Sequence, residues 1–126
     1  FRALADENDA EGWYNLGTIL ARRGEYPDAV DAFRRALTVD PSLNPARHNL
    51  GVALVRAGRL DEAIVVLRES AAAEPDSEGA IYTLGVALLT ANDRRGAAEC
   101  VRQLEALGTA QGAAFASRLA GSLEAP

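Results

Sequence analysis

The chain has 126 residues, of which 48% are hydrophobic and 25% charged, enough for one globular domain with a core of its own. Its net charge of −5, from 13 basic and 18 acidic residues, repels a phosphate backbone and predicts no nucleic-acid partner. One cysteine, Cys100, excludes an internal disulfide, and with the single His48 it falls short of a zinc ligand set, so neither metal nor cofactor is expected.

No apolar run approaches the ~18 residues of a membrane span, which predicts a soluble chain without membrane insertion, cytoplasmic or periplasmic. Every basic residue is arginine, and that bias, with the abundance of alanine, points to a bacterial coding sequence. The start at Phe1 and the lack of methionine predict a piece of something longer.

Residues 1–9 read as the end of a preceding second helix, Phe1 to Ala5, and an acidic loop, Asp6-Glu7-Asn8-Asp9, in which Asp9 caps the next helix. From residue 10 onward the chain repeats every 34 residues: Leu16, Leu50 and Leu84; Gly17, Gly51 and Gly85; Leu20, Leu54 and Leu88; Ala29, Ala63 and Ala97. The units are 10–43, 44–77 and 78–111, and residues 112–126 carry the phase on, with Phe115 in the slot of Trp13, Arg47 and Ile81.

Each unit reads as two helices. Trp13, Leu16, Gly17 and Leu20 follow helical spacing, and so do Ala29, Val30, Phe33, Ala36 and Leu37. Gly24 and Gly58 end first helices, Pro27 fits the first turn of a second helix, and Asn44 caps a helix whose first turn holds Pro45. Ser77 and Asn92-Asp93 are further start signals. Ile64-Val65-Val66-Leu67 passes for a strand in isolation, but it shares the register of Val30-Asp31-Ala32-Phe33, which makes it helix. The glycines at 17, 51 and 85 predict close approach of paired helices, with Ala29, Ala63 and Ala97 as the facing small surface. Ala110 to Leu123, with Phe115, Leu119 and Leu123 on one stripe, reads as a helix capping the last unit.

The run Trp13, Leu16, Gly17, Leu20, Ala29, Phe33, Ala36 and Pro41 resembles the tetratricopeptide repeat (TPR) signature, W-x2-L-G-x2-Y, then A-x3-F, then A and P. The second unit keeps Leu50, Gly51, Ala63 and Pro75, with Arg47, Leu67 and Ser70 in other signature slots. The third keeps Leu84, Gly85 and Ala97, with Thr109 in place of proline. The resemblance implies an all-α fold, a right-handed α-solenoid of antiparallel helix pairs whose first helices line a concave groove.

Opposite the core stripe of the first helices stand Tyr14, Asn15, Thr18 and Arg22, then His48, Asn49, Val52 and Arg56, then Tyr82, Thr83, Val86 and Thr90. They fall into rows: Tyr14, His48 and Tyr82; Asn15, Asn49 and Thr83; Arg22, Arg56 and Thr90. Aromatic rings supply contact area at low entropic cost, asparagine both donates and accepts and so matches a peptide backbone, and arginine pairs with carboxylates. By resemblance this suits an extended peptide. A subtype of the family that clamps a C-terminal carboxylate needs basic residues where this chain has Tyr14, Gly79 and Thr83, and of its asparagines only Asn49 is present, so that specificity is not expected.

The opposite surface, with Asp31, Arg34, Arg35, Arg68, Glu69, Glu99, Arg102 and Gln103, reads as a solvated face on which Asp31 and Arg35 pair one turn apart. Cys100 reads as packing material. No metalloprotease, phosphate-loop, nucleophile-elbow or dinucleotide motif occurs, and no catalytic residue is expected. The leading expectation is a non-catalytic protein-interaction scaffold that binds an extended peptide or a partner helix in the concave groove. Two other readings remain open: the substrate-recognition arm of a larger enzyme, such as a glycosyltransferase or sulfotransferase, and a structural repeat module that homo-oligomerises through exposed solenoid ends.

Overall fold

The computed structural model describes residues 8–124. Among these it places seven α-helices and no strand: α1 (Ala10–Arg22), α2 (Tyr26–Val39), α3 (Asn44–Arg56), α4 (Leu60–Ala73), α5 (Glu78–Thr90), α6 (Arg94–Ala106) and α7 (Ala110–Glu124). The expected helix end at Phe1 to Ala5, and Asp6 and Glu7 of the acidic loop, lie outside the described residues.

The turn within each helix pair is built three times by one rule. Gly24, Gly58 and Asn92 are equivalent positions, and all have positive φ, at 78°, 79° and 63°. Each stands just past the end of a first helix, where a left-handed residue lets the next amide reach back to an orphan carbonyl. Glu25 N–H donates to the Leu20 carbonyl at 2.9 Å, Arg59 N–H to Leu54 at 2.9 Å and Asp93 N–H to Leu88 at 2.8 Å. Asn92 therefore ends α5 rather than starting α6, since asparagine is the side-chain-bearing residue that best tolerates this region. Asp93 starts α6, its carboxylate accepting the Gly96 N–H at 2.9 Å, and Ser77 caps α5 in the same way through Ala80 N–H at 3.2 Å.

Two expected caps differ. Asp9 occupies the cap position of α1, yet its side chain makes no capping bond. At α3 the cap position belongs to Leu43, while Asn44 is already helical and its Oδ1 accepts from Arg47 at 2.9 Å. Arg47 also donates to the Pro41 carbonyl, so the asparagine oxygen serves a side chain that ties α3 to its preceding loop.

The chain forms two compact units that divide between Val66 and Leu67, within α4. In the first, α1 packs on α2, α2 on α3, and α1 touches α3. The core there holds Trp13, Val30, Phe33, Leu50, Leu54 and Val66, with alanines 29, 32, 36, 46, 53 and 63 between them. In the second, α5 packs on α6, and α7 packs on both. Ile81, Leu84, Leu88, Cys100, Leu104 and Leu119 are buried there.

Gly17 and Gly85 do mark close approaches, but the facing atoms differ from those expected. A Cβ on Gly17 would lie 2.6 Å from the Phe33 ring. On Gly85 it would lie 2.7 Å from Leu119 and 3.2 Å from the Cys100 Cβ. Ala29, Ala63 and Ala97 are fully buried, but it is large side chains that fill the space the glycines leave.

α7 departs from the phase. It starts at Ala110, two residues before the register of Ala10, Asn44 and Glu78, because α6 and the loop after it are each one residue shorter than their counterparts in the first two units. Thr109 caps it, accepting the Gly112 N–H at 2.9 Å and donating to the Glu78 carboxylate at 3.0 Å. The slip takes Phe115 out of the buried slot held by Trp13 and Ile81, and Ala116 and Leu119 are buried instead.

The solvated face is as expected and weakly stabilising. Asp31 and Arg35 pair at 3.7 Å, Arg68 and Asp93 at 3.8 Å, and Arg102 pairs with Glu99, all substantially exposed. Glu62 takes two arginines, Arg59 at 2.8 Å and Arg34 at 3.0 Å, and the hydrogen bonds from Arg59 hold its carboxyl below the usual range.

Candidate functional site

In the first unit, the faces of α1 and α3 turned away from the core meet over a cavity of about 280 Å3. Five of the expected site residues line it: Thr18 and Arg22 from α1, and Asn49, Val52 and Arg56 from α3. Ala21 and Ala53 complete these two walls, and α2 adds Tyr26 and Phe33. By register the groove belongs to first helices alone and Phe33 to the core. The ring is core, at 1% exposure, but without a Cβ on Gly17 it lies close against α1 and also borders the cavity. Tyr26, the first residue of α2, carried no sequence signal for this role.

Tyr14 stands beside the cavity with its ring 6.0 Å from that of Phe33, and the Asn49 side-chain amide donates to its hydroxyl at 3.4 Å. That distance is at the long limit for a hydrogen bond, so both groups keep most of their capacity for a ligand. Thr18 is more committed: its hydroxyl donates to the Tyr14 carbonyl at 3.0 Å, one turn back on its own helix. Asn15 is exposed on α1 outside the cavity lining, and His48 is half-buried on α3. Arg22 and Arg56 each end a helix in the last turn, where the helix dipole favours a cation.

Tyr82, Thr83 and Val86 belong to α5 in the second unit. Tyr82 stacks on Phe115 of α7 with ring centroids 4.4 Å apart and planes 17° apart. After the slip of α7, Phe115 has the position relative to Tyr82 that Asn49 has relative to Tyr14. An aromatic stack thus replaces the polar contact of the first unit. Thr83 donates to the Gly79 carbonyl at 2.8 Å, and Val86 is exposed. Thr90 donates to the Val86 carbonyl at 2.9 Å.

A second cavity of the first unit, about 300 Å3, lies elsewhere on α1 and α2, floored by Trp13, Leu16, Leu20 and Ala32. Its rim carries Asp28, Asp31 and Arg35, whose guanidinium sits 4.9 Å from the centre of the Trp13 ring. Among the described residues no group of histidine, cysteine and carboxylate side chains is placed to hold a metal ion, and no helix is long and apolar enough to cross a membrane. Cys100 is buried, and desolvation pushes its thiol up to about 11, the opposite of a reactive thiolate.

Residues 1–108 match the family model described as the cilia and flagella-associated protein 70 middle TPR-like domain. The chain belongs to the tetratricopeptide-repeat family. No curated protein matches it.

Solved TPR structures superpose over most of its length, and with them the fold class is an all-α helical-repeat solenoid. The TPR2B domain of yeast Sti1, solved as a pHsp70 complex, has a TM-score of 0.81 at 18% identity, with 90% of this chain and 94% of that one covered. The Yersinia enterocolitica type III secretion chaperone SycD, solved with a peptide of the translocator YopD, has a TM-score of 0.79 at 20% identity, covering 90% and 88%. MamA from Desulfovibrio magneticus RS-1 is 30% identical with a TM-score of 0.73, and 79% of this chain aligns with 56% of that one.

Proposed function

We propose that this TPR chain is a non-catalytic protein-interaction module that holds an extended peptide against the first helices of its repeats. One observation carries the reading: Thr18, Arg22, Asn49, Val52 and Arg56, chosen by register alone, line a single cavity beside the Tyr14 hydroxyl. Its size also favours a peptide. At about 280 Å3 it lies below the usual range for a cofactor or drug-sized ligand, but it admits one large side chain of a segment passing over it.

Asn49 and Tyr14 flank that opening with hydrogen-bonding groups, and Asn15 and His48 extend the polar rim along α1 and α3. In the second unit Tyr82, Thr83 and Val86 present the corresponding face of α5. SycD, similar in fold, was solved with a peptide and the Sti1 domain as a pHsp70 complex, and that supports the same class of ligand here.

Panning a display library of random linear peptides against the chain tests this. Enrichment of specific peptides is expected, lost on Val52→Glu, which fills the cavity from a half-buried position, with the circular dichroism spectrum unchanged. A library that yields no enriched peptide, or peptides retained equally by the Val52→Glu chain, would refute it.

A further inference from the structure

We infer that the segment taken by this cleft is an internal acidic-apolar one: a large apolar side chain enters over Phe33 and Ala53, and a neighbouring Asp or Glu carboxylate is held between Arg22 and Arg56. This rests on the peptide-binding reading above and adds the chemistry of the ligand.

The first argument is charge. Within the first unit Arg34, Arg35 and Arg59 each pair with a carboxylate, and Arg47 is hydrogen-bonded to Asn44 and Pro41. Arg22 and Arg56 have no carboxylate partner among the described residues, in a chain with 18 acidic side chains and a net charge of −5. They are equivalent positions of successive repeats on touching helices, and both line the cavity, which among the described residues no carboxylate lines. The cavity beside Trp13 is different, since its arginine is matched by Asp31 on the same rim. Nor does the fold require a cation at this register, because α5 ends in Thr90 at the equivalent position. Two guanidiniums on one apolar-floored opening are complementary to an anionic group attached to an apolar one.

The second argument separates an internal segment from a chain end. The Asn49 amide donates to Tyr14, which leaves the Asn49 carbonyl oxygen as an acceptor and the Tyr14 proton as a donor. One donor and one acceptor side by side match the C=O and N–H of a continuing backbone. A terminal carboxylate offers only acceptors and would leave Asn49 Oδ1 unmatched.

The test uses three acetylated peptides of equal length: one amidated, with Leu next to Glu; one amidated, with Leu next to Gln; and one with Leu next to Gln and a free C-terminal carboxylate. Fluorescence anisotropy with the whole chain gives the affinities. The Glu peptide should bind about tenfold more tightly than the other two, and the margin should shrink as salt is raised.

Arg22→Gln with Arg56→Gln, both exposed positions, should erase that margin, weakening the Glu peptide about tenfold more than the Gln peptide. Equal affinity for Glu and Gln peptides, a margin that survives in the double variant, or a preference for the free carboxylate would each overturn the inference while the peptide-binding reading stands. That reading fails separately if Val52→Glu leaves all three affinities unchanged.

Discussion

Replacing Gly17 with alanine tests the packing on which the cavity depends. A glycine in mid-helix costs about 1 kcal/mol relative to alanine, so helix propensity alone makes Gly17→Ala stabilising. The structure reverses the sign. The new methyl would lie 2.6 and 2.7 Å from two carbons of the Phe33 ring, closer than real Cβ contacts come, and that ring is 1% exposed. Overpacking of this kind costs about 1–3 kcal/mol.

The ring has one escape, toward the cavity it borders, so after the propensity gain the net loss should be on the order of 1 kcal/mol, a fall in melting temperature of roughly 3–5 °C. Gly121→Ala in α7 is the control: it meets nothing within 4 Å and should gain about 0.5–1 kcal/mol. Urea unfolding followed by circular dichroism reads both. If Gly17→Ala were as stable as the parent, moving with Gly121→Ala, the close approach of α1 to Phe33 would be wrong. A second reading checks the cause: Phe33→Leu should cost less in the Gly17→Ala background than in the parent, because the two changes share one space.

Two further perturbations act on the second unit. Ser70 is fully buried in the slot where the first repeat has Ala36, and its hydroxyl has no hydrogen-bond partner among the described residues, so Ser70→Ala should raise stability by about 1–2 kcal/mol; an unchanged or lower urea midpoint contradicts that. Cys100, 2% exposed, should react with alkylating reagents only at the rate of unfolding, and labelling of the folded chain at the rate of a free thiol contradicts its placement. Because burial raises its pKa from the ordinary 9.0 to about 11, the folded thiol keeps a proton that the unfolded one loses. The corresponding stability is intact below pH 9.0 and falls away as pH rises through about 11, by on the order of 2 kcal/mol, and Cys100→Ala should flatten that slope.

The repeat was legible because its signals are local. Positive φ at Gly24, Gly58 and Asn92 and apolar spacing along each helix are set by the backbone and nearest turns, and so they recur with the period. The register of Arg22, Asn49, Val52 and Arg56 followed from the same arithmetic, since equivalent residues on equivalent helices keep their direction. The end of the period was not legible. A helix α6 one residue shorter than α2 and α4, followed by a loop one residue shorter, starts α7 at Ala110, and phase extrapolated across them puts Phe115 in the core, whereas the structure stacks it on Tyr82.

By itself, then, the sequence determined the helix pairs, their stops and the faces they turn outward, because each of these is decided within a few residues of chain. Tertiary structure alone decided that Phe33 and Leu119 fill the hollows at Gly17 and Gly85, that Tyr26 and Phe33 join the cavity, and that among the described residues Arg22 and Arg56 stay without carboxylates while Glu62 takes two arginines. Those outcomes depend on the volume left between helices and on where long side chains end up in space, and neither is written in a pattern read along one strand of sequence.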